Sequence, residues 1–127
     1  MRIANDSLTV NNAEAPLSLG ASFVTDGFFL GHIVNYSIQL VYTGTPDGTF
    51  TLECSNDKGI EDRKLGGWDA SGVTNWTEIG GSASIVSGAD SLVYDVQNAG
   101  YRWVRVRWTR NASTGSVTSA RCNAKGV

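Results

Sequence analysis

The run Tyr101-Arg102-Trp103-Val104-Arg105-Val106-Arg107-Trp108-Thr109-Arg110 constrains the fold more than any other part of the chain. Side chains of a β-strand point to opposite faces at successive positions. The alternation therefore puts Val104, Val106 and Trp108 on one face and Trp103, Arg105 and Arg107 on the other. The first set reads as core of a central strand. The second is either a polar network between strands or a binding surface, and this choice is the main functional question in the sequence.

The surrounding segments read the same way. Tyr36, Ile38, Leu40 and Tyr42 share one strand face, as do Phe50, Leu52 and Cys54, and later Leu92, Tyr94 and Val96. Gly44-Thr45-Pro46-Asp47-Gly48-Thr49 is a clear turn, with proline presetting φ and Gly48 expected to supply a positive φ. That turn predicts a hairpin in which Phe50, Leu52 and Cys54 return opposite Leu40. Asp26-Gly27 splits two short strand pieces, and Asn111 to Gly115 turns the arginine-rich strand into the last one. Helical periodicity is absent, while turn signals divide the chain into about eight or nine strands. With 15 glycines in 127 residues and 41% hydrophobic residues, the composition fits the same class. The expectation is a single all-β domain, an antiparallel β-sandwich of jelly-roll-like form. Residues 1–20 are expected as an N-terminal arm or edge strand, and residues 21–127 as the sandwich.

Few chemistries fit. His32 is the single histidine and stands beside Gly31 with no nucleophile motif, so hydrolysis by a Ser/His pair has no support. One histidine and the distant Cys54 and Cys122 do not make a zinc set. Asp57, Glu61 and Asp62 share a long glycine-rich connection, where Lys58, Arg63 and Lys64 argue against calcium. The reading is a non-enzyme with no cofactor and no metal. No stretch is apolar enough for a membrane span, and Met1 to Asp6 lacks the apolar core of a secretory signal, so synthesis in a cytoplasm and reduced, buried cysteines are expected.

The net charge of −2 hides an asymmetry: after Asp95 no acidic residue follows, while Arg102, Arg105, Arg107, Arg110, Arg121 and Lys125 do. These cations either pair across the sheet with carboxylates such as Glu53, Glu78 and Asp95 or dock on an acidic partner. Arg2, Arg110, Arg121 and Lys125 are the candidate docking residues. Trp68, on the long connection, either packs on the sheet or contacts a ligand or partner. A single-strand nucleic-acid surface at Trp103, Arg105 and Arg107 is disfavoured by the overall acidity, and no nucleic acid is expected.

Two resemblances add to this reading. Ser55-Asn56-Asp57, Asn75-Trp76-Thr77-Glu78-Ile79 and Tyr101 to Val106 resemble the second half of discoidin-like, galactose-binding-type domains, with a departure at Lys58 and a long insertion after it. Over residues 36–126 the chain also resembles small phage-encoded β-sandwich proteins. This likeness rests on Tyr36 to Gln39, Gly44 to Thr49, Ser55 to Asp57, Trp76, Trp103 to Arg105, Thr114 to Ser116 and Lys125-Gly126. That resemblance implies a virion component made in the host cytoplasm. It would be a capsid decoration (cement) or spike protein that docks on the major capsid or another virion protein and assembles as a homo-oligomer, with a trimer favoured. The alternative is a carbohydrate-binding sandwich that uses Trp68 and neighbouring loops to hold a glycan.

Overall fold

The computed structural model describes residues 3–31, 33–62, 67–70, 72–112 and 114–126. Its strands are β1 (Ile3–Ser7), β2 (Leu17–Ser18), β3 (Phe23–Val24), β4 (Phe28–Phe29), β5 (Ile33–Thr45), β6 (Asp47–Ser55) and β7 (Ile60–Asp62). They continue with β8 (Gly67–Asp69), β9 (Thr77–Glu78), β10 (Ser84–Ser87), β11 (Asp90–Val96), β12 (Trp103–Arg110) and β13 (Thr114–Gly126). All pairings are antiparallel. Sheet I runs β1-β13-β5-β11, with β2 added to β13; sheet II runs β10-β6-β12-β3, with β4 on β12 and β9 on β6; β7 and β8 form a separate ribbon. The two sheets pack as a sandwich, the expected all-β class. The strands beyond the eight or nine predicted are mostly two or three residues long, too short to carry a readable period.

The core is built by the alternation described above. Tyr36, Ile38, Leu40 and Tyr42 of β5 face Phe50 and Leu52 of β6 and Val104, Val106 and Trp108 of β12, all of them buried. Each such side chain contributes about 1.5–3 kcal/mol by leaving water. Phe50 and Trp108 are partners in register, with ring centroids 4.6 Å apart, and Tyr42 meets Phe50 from the other sheet at 5.7 Å. The Trp108 indole N–H donates to the Leu19 carbonyl at 3.2 Å, so this buried donor is satisfied. The two sheets are also tied by hydrogen bonds, because the Tyr94 hydroxyl donates toward Phe50 O and Ser82 O at 3.0 and 2.8 Å.

The predicted hairpin between β5 and β6 is corrected. β5 belongs to sheet I and pairs with β13 and β11; β6 belongs to sheet II and pairs with β12. Residues 44–49 therefore carry the chain across the sandwich. The role of Gly48 changes too. It is Gly44 that has the positive φ, +88°, whereas Gly48 is glycine because a Cβ there would lie 2.6 Å from the Trp108 ring and closer still to the Thr109 carbonyl oxygen. The same crossing recurs at β11 to β12 and at β12 to β13, so successive long strands alternate between sheets. Ile3–Ser7 run along β13 at the edge of sheet I, and Leu8, Leu17 and Leu19 enter the core.

Candidate functional site

The outer face of sheet II answers the question posed by the arginine-rich strand. Antiparallel partners in register share a face. Arg105 lies opposite Glu53, Arg107 opposite Thr51, Thr109 opposite Thr49 and Trp103 opposite Ser55. Glu53, 7% exposed, accepts from Arg105 Nε at 2.7 Å and pairs with Arg107 Nη2 at 3.0 Å. The Trp76 ring covers the Arg105 guanidinium at 4.2 Å from its centroid, a cation–π contact that keeps Arg105 in place. Cross-strand pairing is thus realised through one carboxylate serving two arginines. Glu78 sits next to Glu53 on β9, and Asp95 belongs to sheet I, in register with Ser37.

Trp103 points to this outer face yet is 1% exposed. Its indole N–H donates to Asp57 O at 3.0 Å and its ring packs on Phe29 at 5.0 Å. Gly27 lies so close that a Cβ would come within 3.2 Å of both Trp103 and Trp76 and 2.9 Å of Ala70. The connection ahead of β9 folds over Trp103 as a cover. Asp57 fastens that cover: its carboxylate accepts from the Thr74 and Asn75 amides at 2.9 Å each and from Asn75 Nδ2 at 3.1 Å. The backbone bond from Asn75, then that from Thr74, holds the Asp57 carboxyl below the usual carboxylate range. A tryptophan closed off in this way offers no ring to a base or sugar.

Two clefts open beside this network. One, of about 520 Å³, lies at the end of the sandwich and is lined by Cys54, Ser55, Asn56, Asn75, Thr77 and Tyr101 among others. Next to it the hydroxyls of Tyr36 and Tyr101 meet at 2.5 Å. Burial, and then the charge of Glu53, raises the Cys54 thiol, which leaves it a poor nucleophile at neutral pH. Both cysteines are free thiols; Cys122 is buried in sheet I and Cys54 is half-buried in sheet II. The second cleft, of about 360 Å³, lies on the face of sheet II over Thr49, Thr51, Glu53, Glu78, Arg107 and Thr109. Among the described residues no group of three or more His, Cys, Asp or Glu side chains is placed to hold a metal ion.

The residues singled out from sequence are scattered. Arg110 ends β12 in sheet II, and its amide donates to Ser22 Oγ at 2.9 Å. Arg121 stands on the outer face of sheet I and donates to Ser7 Oγ at 3.2 Å. Lys125 follows in the same strand, in register with Ile3 and Asn35. Trp68 lies in β8, in register with Glu61 of β7. Arg2 and His32 fall outside the described residues. The acid-free C-terminal quarter is therefore divided between two sheets, and part of its charge is balanced by Glu53. Thr49, Thr51 and Thr109 were not singled out from sequence. The alternation of Phe50, Leu52 and Trp108 already turns them outward, but only the pairing of β6 with β12 brings them together.

The class this architecture defines is the two-sheet antiparallel β-sandwich. Among solved structures the chain is similar to the SPBc2 prophage-derived protein YomS, with a TM-score of 0.53 and 13% identity over 98% of this chain and 96% of that one. It is also similar to chitosan-binding module 1 of a chitosanase/glucanase from Paenibacillus sp. IK-5 (TM-score 0.45, 14% identity, 98% and 94% covered). A third similarity is to TmCBM61 in complex with β-1,4-galactotriose (0.43, 13%, 98% and 88%). The first of these shares the fold. No protein-family model matches the sequence, and no curated protein matches it.

Proposed function

We propose that the protein is a non-enzymatic structural component of a phage particle, a capsid decoration or spike protein that acts by binding the particle surface. The observation that carries this reading is the end-to-end likeness to a prophage-derived protein of nearly the same extent, with 98% and 96% of the two chains superposed. The chemistry of the site agrees with it. Glu53 and Asp57 serve structural bonds, and the half-buried thiol is held protonated. The partner is the major capsid protein or another virion protein, met by Arg110, Arg121 and Lys125, with Arg2 as a further contact, and the assembly is a homo-oligomer such as a trimer.

Reconstitution tests this reading. Particles lacking the protein should take it up saturably, and the double reversal Arg110→Glu with Arg121→Glu should lower uptake at least about tenfold while leaving the circular dichroism spectrum unchanged. Full uptake of the folded double variant would contradict docking through these cations. Deleting residues 1–15 is a poor test, because it removes β1 and the buried Leu8 and so damages the sandwich itself.

A second reading is glycan binding through Trp68 and neighbouring loops. The cleft beside Asn56, Asn75 and Thr77, rich in amide and hydroxyl groups, favours it. Saturable binding on a glycan array that is lost in Trp68→Ala would support it, and an array with no positive signal would sink it.

A further inference from the structure

The face of sheet II has a layout that cross-strand pairing alone does not require. Its floor consists of two rungs in register, Thr49 with Thr109 and, deeper, Thr51 (8% exposed) with Arg107, lining the cleft of about 360 Å³. On each side of this polar floor stands an exposed aliphatic side chain. Ile85 on β10, in register with Thr49, is 86% exposed; Val24 on β3, in register with Arg107, is exposed as well. Polar groups flanked by apolar edges suit a ligand that is itself amphipathic over short distances.

The charges narrow the class. Beside the cleft, Arg105 and Arg107 are matched by Glu53 and Glu78, so these four charges sum to zero. A phosphate or sulfate would meet Arg107 only beside two carboxylates, which disfavours nucleic acid and acidic glycans. A peptide strand would add at a sheet edge, where backbone N–H and C=O groups are unpaired. Here β6 and β12 lie inside the sheet with neighbours on both sides, so the surface offers side-chain hydroxyls and guanidinium N–H groups rather than backbone. Those are partners for hydroxyl groups.

The site is also stiff. Threonine is restricted at χ1 on a strand. Arg107 is 47% exposed at its side chain, and the bond to buried Glu53 fixes its position while leaving further N–H groups outward. Little freedom is lost when a ligand settles on such groups, which is the condition under which a shallow polar surface binds measurably. We infer that the outer face of sheet II holds a neutral oligosaccharide over Thr49, Thr51, Arg107 and Thr109, between Ile85 and Val24. This deepens the second reading above and rests on it for the ligand class, while moving the contact from the loops to the sheet.

The test is an NMR titration of the whole chain with cellotetraose, β-1,4-galactotetraose and N-acetylchitotetraose, and with tetragalacturonate as the acidic control. At least one neutral tetrasaccharide should shift the amides of Thr49, Thr51, Arg107 and Thr109 saturably. Thr51→Val with Thr109→Val, which keeps shape and β-propensity, should weaken its Kd at least about tenfold, and Val93→Thr, at an exposed position on sheet I, should not. Shifts confined to residues 56–77 would overturn the sheet site while leaving loop binding in place. Preference for tetragalacturonate would overturn the charge argument. Sheet-face shifts with purified capsid protein and with no glycan would overturn the ligand class in favour of protein docking. No shift with any probe would overturn both the inference and the second reading, and particle uptake would still report separately on the structural role.

Discussion

At the scale of single residues, packing decides which readings of the sequence hold. Val104, Val106 and Trp108 are buried as their alternation requires, since burial of one strand face is a local pattern. Gly48 is different: its reason is the Trp108 ring, which lies far along the chain, and no local signal reports it. Gly48→Ala should destabilise the fold by about 1–3 kcal/mol, as overpacking does, measured by urea unfolding. A variant as stable as the parent would show that the β6 and β12 backbones can part at this point. The buried hydroxyl pair makes a second prediction. Burial raises the Tyr36 phenol above its ordinary range, and burial likewise raises Tyr101 and pushes the Cys122 thiol up to about 12. These groups stay neutral in the folded state and ionise earlier in the unfolded chain. Their contribution to stability is therefore complete below the unfolded values, about 8.5 for cysteine and 10 for tyrosine, and is lost as pH rises through and beyond them. Stability measured against pH should fall on the alkaline side from about pH 9, and the fall should be shallower in Cys122→Ala. A flat profile up to pH 11 would contradict the burial of these groups.

At the scale of elements, the β6–β12 pair and the cover over Trp103 are the parts that could be engineered. Removing Glu53 leaves Arg105 beneath Trp76 without its carboxylate, and breaking such a pair costs about 3–5 kcal/mol when both partners are buried. Arg107 is nearly half exposed and recovers water, so Glu53→Ala should cost toward the lower end, about 3 kcal/mol. Guanidinium-chloride unfolding measures this, and a loss under about 0.5 kcal/mol would mean that the network is solvent-screened. Asp57 makes a pH-dependent latch. Its carboxyl is held low by the amides of Asn75 and Thr74, so its grip is present above the ordinary carboxylate value and is lost as pH falls through the lowered one. The protection factors of those two amides, taken relative to the intrinsic exchange rate at each pH, should fall at acid pH and, at neutral pH, in Asp57→Ala. Unchanged exchange in the variant would show that the cover is held by Trp76 and Trp103 alone.

Element identity was far more legible than element partnership. The strand positions of β5, β6, β11, β12 and β13 follow from alternation and turns. Proline and glycine report that the chain turns at residues 44–49, but whether it turns back beside itself or crosses to the facing sheet depends on contacts between residues distant in sequence. The chain between β6 and β9 shows no readable period, so the closing of Asp57 and Trp76 around Trp103 could not be read, and with it the difference between an exposed and a closed tryptophan.

At the scale of the whole molecule, alternation of the long strands between two sheets sets what the surface can display. The cations of the last quarter, contiguous in sequence, are distributed over sheet I and sheet II, and two of them are spent on Glu53. The chain as a whole carries a net charge of −2, and Arg110 and Arg121 stand on different sheets. No helix among the described residues is long and apolar enough to cross a membrane. The most direct test is quantitative mass spectrometry of purified phage particles from cells that express this chain. The protein should be present in a fixed ratio to the major capsid protein and should withstand repeated density-gradient purification. Its confinement to the soluble fraction of the lysate, with none on the particles, would rule out a structural role in the particle.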